Sequence, residues 1–151
     1  NELKAAEKAI KKQDFATAAS SITAAEALIG SADAKTKSKF YFLKAQAFAG
    51  KKDYETAAKA YNELFSFEKA NKKRYTDKAT PLFNTMKDEV NQQAFKFHES
   101  KNFKESAKTF YLRYTLDKRD TLFLSNAAQL ALQAKDYDTA FDYYSKLFHK
   151  W

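Results

Sequence analysis

The stretch Ala45-Gln46-Ala47-Phe48-Ala49-Gly50-Lys51-Lys52-Asp53-Tyr54-Glu55-Thr56-Ala57-Ala58-Lys59-Ala60-Tyr61 decides how the chain is read. Alanine-rich apolar runs flank a short polar break, and neither run alternates as a strand does. Asp53 stands where its side-chain oxygen can cap the helix that follows. Beyond the aromatic Tyr54, a small residue comes three places later (Ala57) and a large apolar one four places after that (Tyr61). The same pattern recurs as Asp14-Phe15…Ala18…Ile22, Asn102-Phe103…Ser106…Phe110 and Asp136-Tyr137…Ala140…Tyr144. Eight places before each Asp or Asn lies another small residue: Ala6, Ala45, Ala94 and Ala128. Small residues at both places let paired helices approach closely, while Ile22, Tyr61, Phe110 and Tyr144 fill the space beside them. Such self-similarity marks a repeat array in which each unit buries its apolar face against the next.

The rest of the composition agrees with helix. Only Gly30, Gly50 and Pro81 interrupt 151 residues, enough chain for one domain with a substantial core. The pattern predicts helices at about 2–12, 14–29, 34–50, 53–71, 81–100, 103–116, 121–134 and 136–149. Gly30 is expected to close the second in the left-handed conformation, and Thr80-Pro81 to cap and open the fifth. The Asp/Asn positions are spaced by 39, 49 and 34 residues. The 5 extra residues of the first interval fall around Ser31–Lys35, as a longer loop or an added turn. The 15 extra of the second amount to roughly two added turns on each flanking helix. They predict a protruding helix pair with Lys69, Lys72, Lys73, Arg74 and Lys78 near its tip. Phe65, Phe67, Leu82, Phe83 and Met86 would pack along it.

The four copies resemble the tetratricopeptide repeat (TPR) family, whose signature W-x2-L-G-x2-Y…A-x3-F…P spans 34 residues. Ala45-Gln46-Ala47-Phe48 followed by Asp53-Tyr54-Glu55-Thr56-Ala57 is the nearest copy, and Asp136-Tyr137-Asp138-Thr139-Ala140 the next. The family's Trp place holds Glu2, Tyr41, Val90 and Leu124, so the copies are divergent. The resemblance implies an all-α, right-handed superhelix of four helical hairpins (an α-solenoid) forming a single domain over 1–151. Its repeats lie near 1–30, 34–71, 81–117 and 120–151. It also implies a concave groove lined by the first helix of each repeat, here through Phe42, Gln46, Asn91, Gln92, Phe95, His98, Asn126, Gln129 and Gln133. Asn91, Gln92, Asn126, Gln129 and Gln133 form an amide cluster, each with a donor and an acceptor, which suits pairing with the backbone of an extended peptide. Phe42 and Phe95 could supply apolar contact. Family members that clamp chaperone C-terminal carboxylates need basic and amide donors in the groove. Leu3, Glu7, Leu43, Asp88 and Gln92 stand at those places here, so that specialisation is not expected.

Chemistry has little to stand on. His98 and His149 lie far apart in the sequence and in no metal-ligand motif, and two isolated glycines make no phosphate loop. Cysteine is absent, which removes disulfides and thiolate metal sites. The reading is therefore no enzyme and no cofactor. No run of about 18 apolar residues predicts a membrane span. Of the net charge of +8, much sits in residues 68–87, which carry six basic against two acidic groups. Lysine outnumbers arginine 24 to 3 and is interspersed with acid, which disfavours nucleic acid as the partner. The expected function is a protein-interaction module that holds a peptide or protein in the groove. The alternative is a structural or assembly scaffold working through its end helices and the basic helix pair. Asn1 in place of Met suggests an excised or processed chain, and likeness to exported bacterial repeat chains favours an exported or periplasmic location.

The last helix completes the expectations. Phe141, Tyr144, Phe148 and Trp151 fall along one stripe. Terminal repeats normally need a polar outer face or a capping helix. The stripe predicts a further helix or domain past Trp151 or, failing that, self-association through this face.

Overall fold

The computed structural model describes residues 1–150, and over them the chain is all-helical. The helices are α1 (Glu2–Lys11), α2 (Phe15–Glu26), α3 (Ala34–Gly50), α4 (Tyr54–Ala70), α5 (Thr76–Glu99), α6 (Phe103–Leu116), α7 (Leu122–Gln133) and α8 (Tyr137–Phe148). A short 3-10 turn at Ile29–Ser31 leads into α3. Among the described residues no helix is long and apolar enough to cross a membrane.

One turn is built four times, and it explains why the Asp/Asn pattern is so regular. Gln13, Lys52, Lys101 and Lys135 all take left-handed backbone angles, with φ between 59° and 66°. At each turn the amide of that residue donates to the carbonyl three back, as from Lys52 to Ala49 at 2.9 Å. The following Asp or Asn amide reaches the carbonyl five back, as from Asp53 to Phe48 at 2.9 Å. This pair of bonds closes the preceding helix. The same Asp or Asn then opens the next helix: its side chain accepts from the amide of Thr17, Thr56, Glu105 or Thr139. A single residue thus ends one helix and caps another. Hydrogen bonds from the Thr17 hydroxyl and amide hold the Asp14 carboxyl below its usual pKa.

The packing falls into two compact units, Asn1–Asn84 and the residues from Thr85 onward. In the first, α1, α2 and α3 share a core of Ala6, Ala9, Ala18, Ala19, Ile22, Phe40, Leu43 and Ala47. Gly50 ends α3 under the ring of Phe15; a Cβ there would lie 2.2 Å from that ring, so only glycine fits as the helices stand. In the second, Ala94 of α5 joins Ala107, Phe110 and Tyr114 of α6, Leu124 to Ala131 of α7, and Ala140 and Tyr143 of α8. The Ser106 hydroxyl donates to the Ala94 carbonyl at 2.8 Å, tying α6 to α5 across the turn. Seven of the eight small positions are alanine and one is Ser106, and all eight are buried. Close helix approach is what their size permits.

Two local expectations are corrected. Gly30 has no left-handed φ and lies inside the 3-10 turn, because α2 already ends at Glu26. The fifth helix begins at Thr76 rather than at Pro81, which becomes its sixth residue. The amide that proline lacks would have donated to the Asp77 carbonyl; one residue earlier the Thr80 hydroxyl donates to the Thr76 carbonyl at 2.8 Å. The reason for the early start is Glu68. Its buried carboxylate accepts from the amides of Arg74, Tyr75 and Thr76 and from the Thr76 hydroxyl, at 2.7–3.0 Å. Those amides are the orphan donors of a helix start, and an anion there also suits the helix dipole. Burial alone would raise the Glu68 pKa; the Thr76 hydroxyl and the three amides overcome it and hold the group below its ordinary value.

Candidate functional site

The extra residues of the second interval do lengthen helices: α4 has 17 residues and α5 has 24. Along this seam Phe83 meets Tyr61 and Phe65 edge-on, with centroids 5.5 and 5.6 Å apart. Met86 is buried, whereas Leu82 is exposed instead of packing, and Phe67 turns to Tyr41. The basic segment is not a free tip. Tyr75 stacks on Phe42 of α3 with centroids 4.8 Å apart, and Arg74 is half-buried with its Nη1 enclosed and unpartnered. Lys73 pairs with Asp77 at 3.4 Å. Lys69, Lys72 and Lys78 remain exposed.

That stack also changes the groove. Phe42 is half-buried and already occupied by Tyr75, and Gln46 turns its Nε2 to the Phe42 carbonyl at 3.4 Å. Leu43, expected on the same surface, lies in the core. Phe42 is therefore not a free contact, whereas Gln46 is held only by this long bond.

In the second unit the candidates remain available. On α5, Gln92, Phe95 and His98 are exposed, while Asn91 is half-buried with its side-chain oxygen enclosed and unpartnered. Phe95 meets Phe110 edge-on at 5.1 Å, and Phe110 stacks on Phe123 of α7 at 6.5 Å. Arg113 lies 4.3 Å above Phe123. His98 lies 5.8 Å from Phe103, ring to ring.

Helix α7 shows why its amides face outward. Leu124, Ala127, Ala128, Leu130 and Ala131 take one face into the core. At 3.6 residues per turn this leaves Leu122, Ser125, Asn126, Gln129, Leu132 and Gln133 on the other. Leu122 is 60% exposed and Leu132 48%. Gln129 makes only a long bond to the Ser125 hydroxyl, at 3.4 Å. Among the described residues, no hydrogen bond joins the amides of α5 to those of α7. Leu122 and Leu132, which flank the amides with apolar surface, are the part of this face that the choice of candidates understated; their spacing with Gln129 and Gln133 was the available signal.

The second exposed surface is on α8. Tyr137 is 62% exposed, Phe141 75%, Tyr144 39% and Phe148 76%, and they form a continuous apolar strip beside Ser145 and Leu147. Trp151, expected on the same stripe, lies outside the described residues. The buried edge of α8 is Tyr143, which stacks flat on Tyr111 at 4.4 Å. Burial and the neighbouring Tyr111 raise its pKa to about 12.

Among the described residues no cluster of His, Asp or Glu has the makings of a metal site. No protein-family model, no curated protein and no solved structure matches this chain.

Proposed function

We propose that this chain is a protein-interaction module of TPR-like helical hairpins stacked as a right-handed superhelix. It would hold an extended segment of a partner along the outward face of α7, with Gln92 and Phe95 of α5 as the second contact. The observation that supports this best is the α7 face itself. Asn126 and Gln129 stand between two exposed leucines, Leu122 and Leu132, with Gln133 beyond them, and these amide groups are nearly free of intramolecular bonds. Amides match a peptide backbone, which both donates and accepts, and leucines give apolar side chains a place to dock. The recurring turn and the eight buried small residues support the hairpin reading, since they are the devices a stacked array needs.

The test is a display selection of unstructured peptides on the chain, followed by affinity measurements of the peptides retained. Changing Asn126 and Gln129 together to Ala should weaken them by about 1–3 kcal/mol. Leu132→Asp should weaken them at least as much. A selection that yields no peptide, or peptides indifferent to these changes, removes the proposal.

A further inference from the structure

We infer that the segment held along α7 is acidic at one point: a carboxylate of the partner pairs with Arg113, beside the first turn of that helix. The inference rests on the peptide-binding reading and adds the charge that the partner must carry.

Arg113 is a cation without a carboxylate. It lies one turn beyond Phe110 on α6, and its guanidinium carbon sits 4.3 Å from the centre of the Phe123 ring. The side chain is half-buried, and both Nε and Nη1 are enclosed without a hydrogen-bond partner. The acids nearest to it along the chain are already engaged. Asp117, four places on, holds Arg119 through two bonds at 2.6 and 2.8 Å. Asp120 accepts from the Leu122 amide at 3.0 Å. The ring of Phe123 offsets part of the cost of burying the charge, but an aromatic face accepts no conventional hydrogen bond. Nη2 is not enclosed in the way its two neighbours are. With Nε and Nη1 shut off from water, the charge behind Nη2 is only partly hydrated. An anion that reaches Nη2 therefore gains more than it would from a fully solvated surface lysine. A single open nitrogen on a single cation suits the one charge of a carboxylate, whereas a phosphate group would call for more basic groups around it.

The position joins this cation to the peptide face. Phe95, Phe110 and Phe123 form a ladder of rings from α5 to α7, and Arg113 covers its last member. Phe123 and Asn126 are neighbours one turn apart on α7, so the guanidinium stands beside the first of the α7 amides. Leu132 lies at the other end of the face. From Phe123 to Leu132 the helix rises roughly 13 Å, which an extended segment spans in about four residues. The partner should therefore carry an acidic residue and a large apolar residue about four places apart, with polypeptide backbone on Asn126 and Gln129 between them. A net charge of +8 favours the approach of such a segment.

The peptides to test are those that a display selection on the unaltered chain retains. They should share an Asp or Glu at the stated spacing from an apolar residue. Replacing that acid by its amide, a change in the peptide alone, should weaken binding roughly tenfold or more, and the difference should shrink as salt is raised. Arg113→Met keeps an apolar stem on Phe123. It should weaken the acidic peptide by a similar factor and leave its amide form unaffected. Circular dichroism should show unchanged helix content for this variant; if it does not, the exchange in the peptide still decides. Retained peptides with no common acid overturn the inference, as does an acid whose amide binds equally well. So does an acid–amide difference that survives Arg113→Met, which would place the carboxylate on another cation. In each of these cases the loss on changing Asn126 and Gln129 still reports on peptide binding itself, so the two readings fail separately.

Discussion

In α6, positions 103, 107, 110 and 114 are Phe, Ala, Phe and Tyr; in α8, positions 137, 141, 144 and 148 are Tyr, Phe, Tyr and Phe. Both helices follow the same turn, both start at the same kind of cap, and both belong to the same compact unit. Yet Ala107, Phe110 and Tyr114 are buried under α7, and every residue of the α8 set is exposed. The comparison separates two things that a repeat pattern merges. The turn and the small residues at Ser106 and Ala140 make the hairpin, and they behave alike in both copies. The outer stripe acquires its meaning only from what lies against it.

Substitution at matched positions should show the largest contrast. Phe110→Ala opens a cavity in a closed core and should cost about 4 kcal/mol in urea unfolding. Tyr144→Ala, its counterpart, should cost under about 1 kcal/mol in dilute solution. Comparable losses would mean that the α8 face is covered in the monomer. Ala107→Phe should likewise destabilise strongly through overpacking, while Phe141→Ala should be nearly neutral.

The inner edge of α8 gives a smaller effect with a defined sign. The Tyr143 phenol ionises near pH 12 when folded and near its ordinary value of 10 when unfolded. The folded state therefore holds the proton more tightly between these values. Its contribution is fully present below about pH 10 and is lost as pH rises toward 12, by up to about 2 kcal/mol. Tyr143→Phe should flatten that part of the stability profile. A profile unchanged by the substitution would show that the stack on Tyr111 does not bury the hydroxyl.

The turns should give the smallest effect, and an equal one in both copies. Lys101 and Lys135 hold left-handed angles that cost a side-chain-bearing residue about 1 kcal/mol, which glycine avoids while losing some of the gain to its own chain entropy. Lys101→Gly and Lys135→Gly should each raise stability by about 0.5 kcal/mol, read from the urea midpoint. Unequal shifts would show that the open copy frays at its turn.

The hairpins were legible in the sequence because their determinants are local: an Asp or Asn cap, and small residues at fixed offsets from it. The left-handed residues Gln13, Lys52, Lys101 and Lys135 were not legible, because glycine is the usual choice for that conformation and Gly30 drew the expectation instead. Glu68 was not legible, because its partners at Arg74, Tyr75 and Thr76 are gathered only once the chain turns back. Its place between Phe67 and Lys69, on a helix with a buried face, was the only hint. The occupation of Phe42 by Tyr75 is likewise a contact between residues 33 places apart in sequence. Of the amide candidates, those on α7 share an outward face because their periodicity complements a strongly apolar one; on α5 one helical turn carries both the half-buried Asn91 and the exposed Gln92.

The most direct test of the open face is aromatic NMR with a soluble paramagnetic agent, recorded over a series of dilutions. The ring signals of Phe141 and Phe148 should broaden strongly in the dilute sample, while those of Phe40 and Phe110 stay sharp. Protection of both rings at every dilution would contradict the account, because it would place the α8 face inside the monomer.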